Sequence, residues 1–306
     1  MTLIAPAIPI IGSIKEIGSR YRAWVVDIWG VMHNGHRAFP GAVAAARRFR
    51  QHGAILVLLS NSPRPTIGVQ EQLRRLGVPD DAYDATVTSG DLTRYELSKH
   101  EGATVFHLGP ERDLPIFDGI PVKLGRSEDA ELVVCSGLFD DETETPEDYE
   151  DLLQELASRK LVMICANPDH LVERGDKLVY CAGALAAIYE KLGGTVLYAG
   201  KPYAPIYALA LKIISDLAGR TVTKDEVLAI GDGVNTDIAG AAGFGIDAVF
   251  VASGLHVPAN SGGEAGPETL DEMIGIGADH DELARGKLLQ EIDIVIRRLG
   301  LIIEQA

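Results

Sequence analysis

Two stretches of this chain place carboxylates where an apolar run breaks into glycine. They are Val25-Val26-Asp27-Ile28-Trp29-Gly30-Val31 and Val227-Leu228-Ala229-Ile230-Gly231-Asp232-Gly233, the second followed by Asp237. An acidic residue at the C-terminal end of a buried strand faces solvent or a ligand, and in parallel α/β sheets ligands bind at that edge. Two carboxylates from distant strands meeting at one edge would hold a divalent cation and support phosphate chemistry. Asp27 could attack phosphorus and form an acyl phosphate, splitting one hard displacement into two easier ones; as a bland alternative, it caps a strand end. The stretch Gly231–Asp237 suits Mg2+, which takes one or two carboxylates together with waters and substrate phosphate. Asp232 fits as a direct ligand and Asp237 as a ligand through water or an orienting group. The stretch lacks the third glycine of a dinucleotide loop and the terminal Glu of an EF-hand; a plain structural turn is the remaining alternative.

Two further stretches offer groups for an anion. Ser60-Asn61-Ser62 follows the apolar run Ile55–Leu59, and a hydroxyl with adjacent backbone N–H groups there could bind phosphate oxygens, or simply cap a helix. In Gly200-Lys201-Pro202, Lys201 could neutralise an attacking carboxylate and a transferring phosphoryl group, or be a solvated turn lysine.

The elements that must position these residues follow from periodicity. Ala23–Val26, Ala54–Leu59, Ala85–Thr88, Thr195–Ala199, Val227–Ile230 and Ala248–Ala252 read as short buried parallel strands. Helical patterns separate several of them: Gly41–His52, Thr66–Leu76, Ala204–Leu217 and Thr236–Gly243. Strands alternating with helices predict an α/β fold, a doubly wound parallel sheet. Asp27, Ser60, Ser89, Lys201 and Asp232 all follow such strands, so the sheet-edge rule gathers them in one crevice. Between them, strand-like Ala103–Leu108, Leu132–Cys135 and Leu161–Ala166, with helices at Pro146–Ser158 (Thr145 as N-cap) and Gly183–Leu192, read as an inserted α/β domain. The expected division is 1–90 and 195–306 for the main domain and 91–194 for the insertion. A glycine-rich loop, Asn260–Gly266, and a helix near Asp281–Leu299 are expected beyond it.

Composition narrows the partners. The 306 residues carry 44 acidic against 28 basic side chains, a net charge of −16, which leaves no basic footprint for nucleic acid and no basic anchor for an anionic membrane. An anionic substrate must therefore be attracted locally, by metal, lysine or backbone N–H groups. Cys135, Cys165 and Cys181 are odd in number and show no CxxC spacing, as for buried reduced thiols in a cytoplasmic protein. The apolar N-terminal run to Ile11 is broken by Pro6 and Pro9 and has no basic start, so it reads as an arm into the fold.

Taken in order, the four motifs resemble the haloacid dehalogenase (HAD) superfamily of phosphohydrolases. Asp27-Ile28-Trp29-Gly30-Val31 looks like its nucleophile motif DxDG[TV], Leu59-Ser60-Asn61-Ser62 its second, Gly200-Lys201-Pro202 its third and Gly231-Asp232 with Asp237 its fourth. The insertion resembles the large α/β cap of class IIA members, with Ala166-Asn167-Pro168-Asp169 and Gly183-Ala184-Leu185 like that cap's own signatures. The resemblance implies an HAD-like Rossmannoid core and a Mg2+-dependent phosphatase acting on a small phosphorylated metabolite through an aspartyl-phosphate. It implies that Asp27 is the nucleophile, and that Mg2+ is held by the Asp27 carboxylate, the Trp29 carbonyl and Asp232, with Asp237 supporting. It implies that Ser60, the Asn61 backbone and Lys201 hold the phosphate, and that Asn167, Asp169 and His170 in the cap select the leaving group. Cap closure would exclude water, and a cap-mediated homodimer is compatible with the class.

Trp29 departs from the family pattern, which usually has a second Asp there to protonate the leaving alkoxide and later activate water. A carbonyl ligand survives any side chain, so metal binding is not threatened; acid–base assistance, typically worth ~10²–10⁴-fold, is. Three readings follow. The enzyme favours good leaving groups; or another group serves as acid, His33 being nearest in sequence, the bland alternative for His33 being a solvent-facing loop histidine; or the protein binds phospho-ligands with little turnover. Phosphoryl transfer to an acceptor other than water is a further alternative.

Overall fold

A computed structural model describes residues 10–11, 13–174, 177–251 and 302–303. Its strands, in chain order, are β1 (Ile10–Ile11), β2 (Ala23–Asp27), β3 (Ile55–Ser60), β4 (Ala85–Thr88), β5 (Thr104–Leu108), β6 (Lys123–Gly125) and β7 (Leu132–Cys135). They continue with β8 (Val162–Cys165), β9 (Leu171–Arg174), β10 (Lys177–Tyr180), β11 (Thr195–Tyr198), β12 (Val227–Gly231), β13 (Asp247–Val251) and β14 (Ile302–Ile303). The α-helices are α1 (Pro40–Gln51), α2 (Thr66–Leu76), α3 (Ser89–Leu97), α4 (Glu150–Ser158), α5 (Ala182–Lys191), α6 (Ala204–Ala218) and α7 (Ala239–Phe244). The chain forms two compact units, the first from Met1–Leu58, Gly77–Ala85 and Leu211–Ala306, the second from Leu59–Leu76 and Thr86–Ala210.

One sheet has the strand order β1-β14-β13-β12-β2-β3-β4. Its central strands β2 and β12 are buried along their whole length, and continuous apolar runs are what a parallel strand covered on both faces requires. They pair in parallel with Val26 opposite Ile230, and β12 pairs in parallel with β13. This register brings the acidic ends of β2 and β12 to the same edge.

The second unit has its own parallel sheet, ordered β11-β8-β7-β5-β6, and an antiparallel hairpin of β9 and β10. Helices α4 and α5 cover this sheet through a core that includes Leu153, Leu156, Met163, Leu185 and Tyr189. The Tyr189 hydroxyl is not left unpaired in that core; it donates to the Leu161 carbonyl at 2.7 Å.

The structure differs from the sequence reading in several places. Thr195–Tyr198, expected among the strands of the main sheet, pairs instead with β8 at the edge of the second sheet. Its alternating exposure is that of an edge strand, and a four-residue apolar run does not say which sheet it joins. Lys201 therefore follows a strand of the second sheet, whereas Asp27, Ser60, Ser89 and Asp232 end or follow strands of the first. The segment expected as a short helix from Thr236 opens instead with a π turn, Val234–Ile238, before α7. Pro146–Tyr149 forms a 3-10 turn ahead of α4. The loop Asn260–Gly266 and the helix near Asp281–Leu299 lie outside the described residues.

Candidate active site

In the first unit, β2 delivers Asp27 and the turn after β12 delivers Asp232 and Asp237. All three are buried, and each offers a carboxylate oxygen within 4.8 Å of the others. Like charges at that spacing repel by about 3–4 kcal/mol per pair at an effective dielectric of 20, a repulsion that a cation among them would offset. A compact set of hard oxygen donors fits a divalent ion such as Mg2+.

Local backbone geometry holds the cluster together. Gly30 has φ +81°, and a Cβ there would lie 1.9 Å from Asp232 Oδ2, so both the turn and the close approach require glycine. A Cβ on Gly231 would lie 2.2 Å from Asp237 Cγ. The Gly233 N–H donates to Asp237 Oδ2 at 3.1 Å. The N–H groups of Asp237 and Ile238 both reach the Gly233 carbonyl, at 2.9 and 3.1 Å, which produces the π turn.

The loop after Asp27 accounts for Trp29 and His33. The N–H groups of Met32 and His33 donate to the Ile28 carbonyl, and Gly30 N–H donates to the His33 carbonyl at 2.8 Å. The half-buried Trp29 ring stands edge-on to His33, with centroids 5.3 Å apart, and covers Gly35 so closely that a Cβ there would lie 2.6 Å from Trp29 Cη2. Gly35 N–H donates to His33 Nδ1 at 3.0 Å, which puts the proton of the neutral ring on Nε2. Burial pushes the His33 pKa down to about 4, so at neutral pH it has no imidazolium proton to give. Trp29 thus packs the loop, and its indole is no acid.

The second unit gathers the remaining candidates. Ser60 Oγ accepts the Ser62 N–H at 3.1 Å, as a cap would. Asn61 and Lys201 are buried, and the Asn61 amide binds both main-chain groups of Lys201 and the Asp169 carboxylate. Asn167 is buried and turned inward, its Oδ1 accepting the Asp169 N–H at 3.1 Å. His170 is exposed, and its carbonyl accepts the Cys181 N–H. The three cysteines are buried and free, and burial raises the pKa of each, so they are inert core thiols.

The sequence reading missed one cluster at the carboxyl edge of the second sheet. His107 Nε2 lies 2.9 Å from Ser136 Oγ, and Ser136 also hydrogen-bonds buried Asp113. Burial lowers the His107 pKa to about 4 and raises that of Asp113, an effect the Ser136 bond partly offsets. The sheet-edge rule, applied to the inserted domain as well, would have singled out Ser136 after β7.

Comparison with known proteins agrees with this architecture. A family model of haloacid dehalogenase-like hydrolases matches residues 24–122, and a HAD-hydrolase-like model matches residues 198–270. The crystal structure of a haloacid dehalogenase-like family hydrolase from Brucella suis 1330 is 50% identical, covering 81% of this chain and 91% of that one, with a TM-score of 0.77. A possible sugar phosphatase of the HAD superfamily from Cytophaga hutchinsonii shares the fold at 21% identity and TM-score 0.71, covering 90% of this chain and 97% of that one. An acid sugar phosphatase of Staphylococcus epidermidis is 27% identical over 242 residues, covering 77% of this chain and 88% of that protein. The chain belongs to the haloacid dehalogenase-like hydrolases, enzymes built here on a parallel α/β core with a second α/β unit.

Proposed function

We propose that this enzyme is a Mg2+-dependent phosphatase that hydrolyses a small phosphorylated metabolite through an aspartyl-phosphate on Asp27. The observation that supports it most is the convergence of Asp27, Asp232 and Asp237, three buried carboxylates whose oxygens lie within 4.8 Å of one another and could be joined by one cation. The Asp27 carboxylate, the Trp29 carbonyl and Asp232 would hold the ion, with Asp237 orienting. Bound there, Mg2+ supplies the positive charge that offsets the carboxylates and polarises the phosphoryl oxygens.

Asp27 attacks phosphorus, the ester oxygen leaves, and water then opens the acyl phosphate to release phosphate and regenerate the carboxylate. Ser60, the Asn61 backbone and Lys201 bind the charge on the transferring group. Lys201 matters more than usual because the chain's net charge of −16 repels anions at a distance. In the cap, the Asn167 side chain fixes its own loop and the Asp169 carboxylate is taken up by Asn61, which leaves His170 as the exposed member for contact with the leaving group.

With Trp29 in the usual acid position and His33 uncharged at neutral pH, the leaving group departs with weak proton assistance. Substrates whose leaving group is already stable, such as aryl phosphates and phosphoanhydrides, are therefore favoured over simple alkyl phosphates. Related proteins named as sugar phosphatases place sugar phosphates in the panel to be tested, a sugar phosphate at the anomeric carbon being the better leaving type. A screen of phosphorylated metabolites with Mg2+ and with chelator decides the matter. Metal-dependent release of phosphate from one class is expected; binding of phospho-ligands without turnover across the panel would contradict the reading and leave a binding protein.

A further inference from the structure

The side-chain amide of Asn61 sits where three loops of the second unit meet. Asn61 is only 5% exposed. Its Oδ1 accepts the Lys201 N–H at 2.7 Å, and its Nδ2 donates to the Lys201 carbonyl at 3.1 Å and to Asp169 Oδ1 at 2.9 Å. The partners fix the orientation of the amide, because a peptide N–H needs the oxygen and a carboxylate needs the N–H groups. One side chain thus uses three of its hydrogen bonds on residues 140 and 108 positions away in sequence.

The packing around it leaves little slack. A Cβ on Gly200 would lie 2.4 Å from Ser89 Oγ, 2.6 Å from Pro168 Cδ and 2.7 Å from Asn61 Oδ1. A Cβ on Gly183 would lie 2.2 Å from the Pro168 carbonyl oxygen, and the Gly183 N–H donates to the Asp169 carbonyl at 3.1 Å. The main chain at Lys201, the Asn61 side chain and the Asn167–Asp169 loop therefore shift together or not at all.

We propose that the Asn61 side chain is a positioning residue that locks Lys201 to the Asn167–Asp169 loop, so that the lysine and the leaving-group loop are set as one piece. The inference rests on the proposed use of Lys201 for the phosphoryl group. A leaving group that disturbs the loop is then sensed at the lysine, and a poorly fitting substrate loses turnover as well as affinity.

An exchange of donor and acceptor tests this. Asn61→Asp sets a second carboxylate against Asp169 and removes both donated bonds. It is expected to lower kcat on an aryl phosphate about 10–100-fold, to change KM less, and to weaken binding of orthophosphate measured by calorimetry. Asp169→Asn keeps an acceptor for Asn61 and is expected to have a mild effect. The double variant Asn61→Asp/Asp169→Asn restores one donor and one acceptor with their places exchanged, and is expected to recover about tenfold or more of the loss in both readouts. A double variant no better than Asn61→Asp, or recovery in melting temperature alone, overturns the proposal. The wild-type chain separates the two readings: orthophosphate binding that depends on residue 61, without hydrolysis of any substrate, would sink the phosphatase and keep the lock. Failure of the wild type both to hydrolyse any substrate and to bind orthophosphate would remove both.

Discussion

Trp29 and Gly30 stand side by side and constrain the site in opposite ways. Trp29 fills the loop over Gly35 and His33 where the family usually offers an acid. Trp29→Asp should therefore raise turnover of alkyl phosphates more than that of aryl phosphates, changing their ratio by about tenfold or more within the range general acid catalysis allows. Equal changes for both substrates would show that proton delivery is not what the tryptophan withholds. Gly30 lets the backbone pass against Asp232. Gly30→Ala adds a methyl 1.9 Å from Asp232 Oδ2 in a backbone region that costs an L-residue about 1–2 kcal/mol. The expected result is a Mg2+ requirement raised about tenfold or more, read from the metal dependence of activity; an unchanged requirement would mean that Asp232 does not meet the ion.

At the scale of elements, much of the positioning was legible in the sequence. Apolar runs ending in Asp27 and Gly231 marked the two central strands, and Thr66–Leu76 forms the predicted helix because its apolar positions recur at helical spacing. What stayed hidden was long-range: β11 joins the second sheet, and the Asn61 amide finds partners more than a hundred residues away. The β9–β10 hairpin was missed because its strands are short and charged at the turn, although alternation and the Gly-Asp pair between them were signals. The cluster at the end of β5 and β7 went unread because His107, Asp113 and Ser136 share no motif spacing.

That same cluster makes a prediction for acid stability. The unfolded chain protonates His107 near pH 6.5, whereas burial delays this in the folded protein to about pH 4. The unfolded state then binds more protons in that window, so stability is full above pH 6.5 and declines as pH falls towards 4. The loss is roughly 2 kcal/mol once the ring's partial exposure is allowed for. His107→Gln should flatten the fall of melting temperature between those pH values; curves that stay parallel would contradict the assignment.

For the whole molecule, an acidic chain hydrolyses anions only if positive charge is concentrated at the site, and in the proposed reading that charge comes from the metal and Lys201. No helix among the described residues is long and apolar enough to cross a membrane. The most direct test of the account is hydrolysis of p-nitrophenyl phosphate by the wild-type chain and by Asp27→Asn, each with Mg2+ and with chelator. Turnover by the wild type is expected with Mg2+ only, and none above background by Asp27→Asn under either condition. Turnover that survives loss of the Asp27 carboxylate would contradict it.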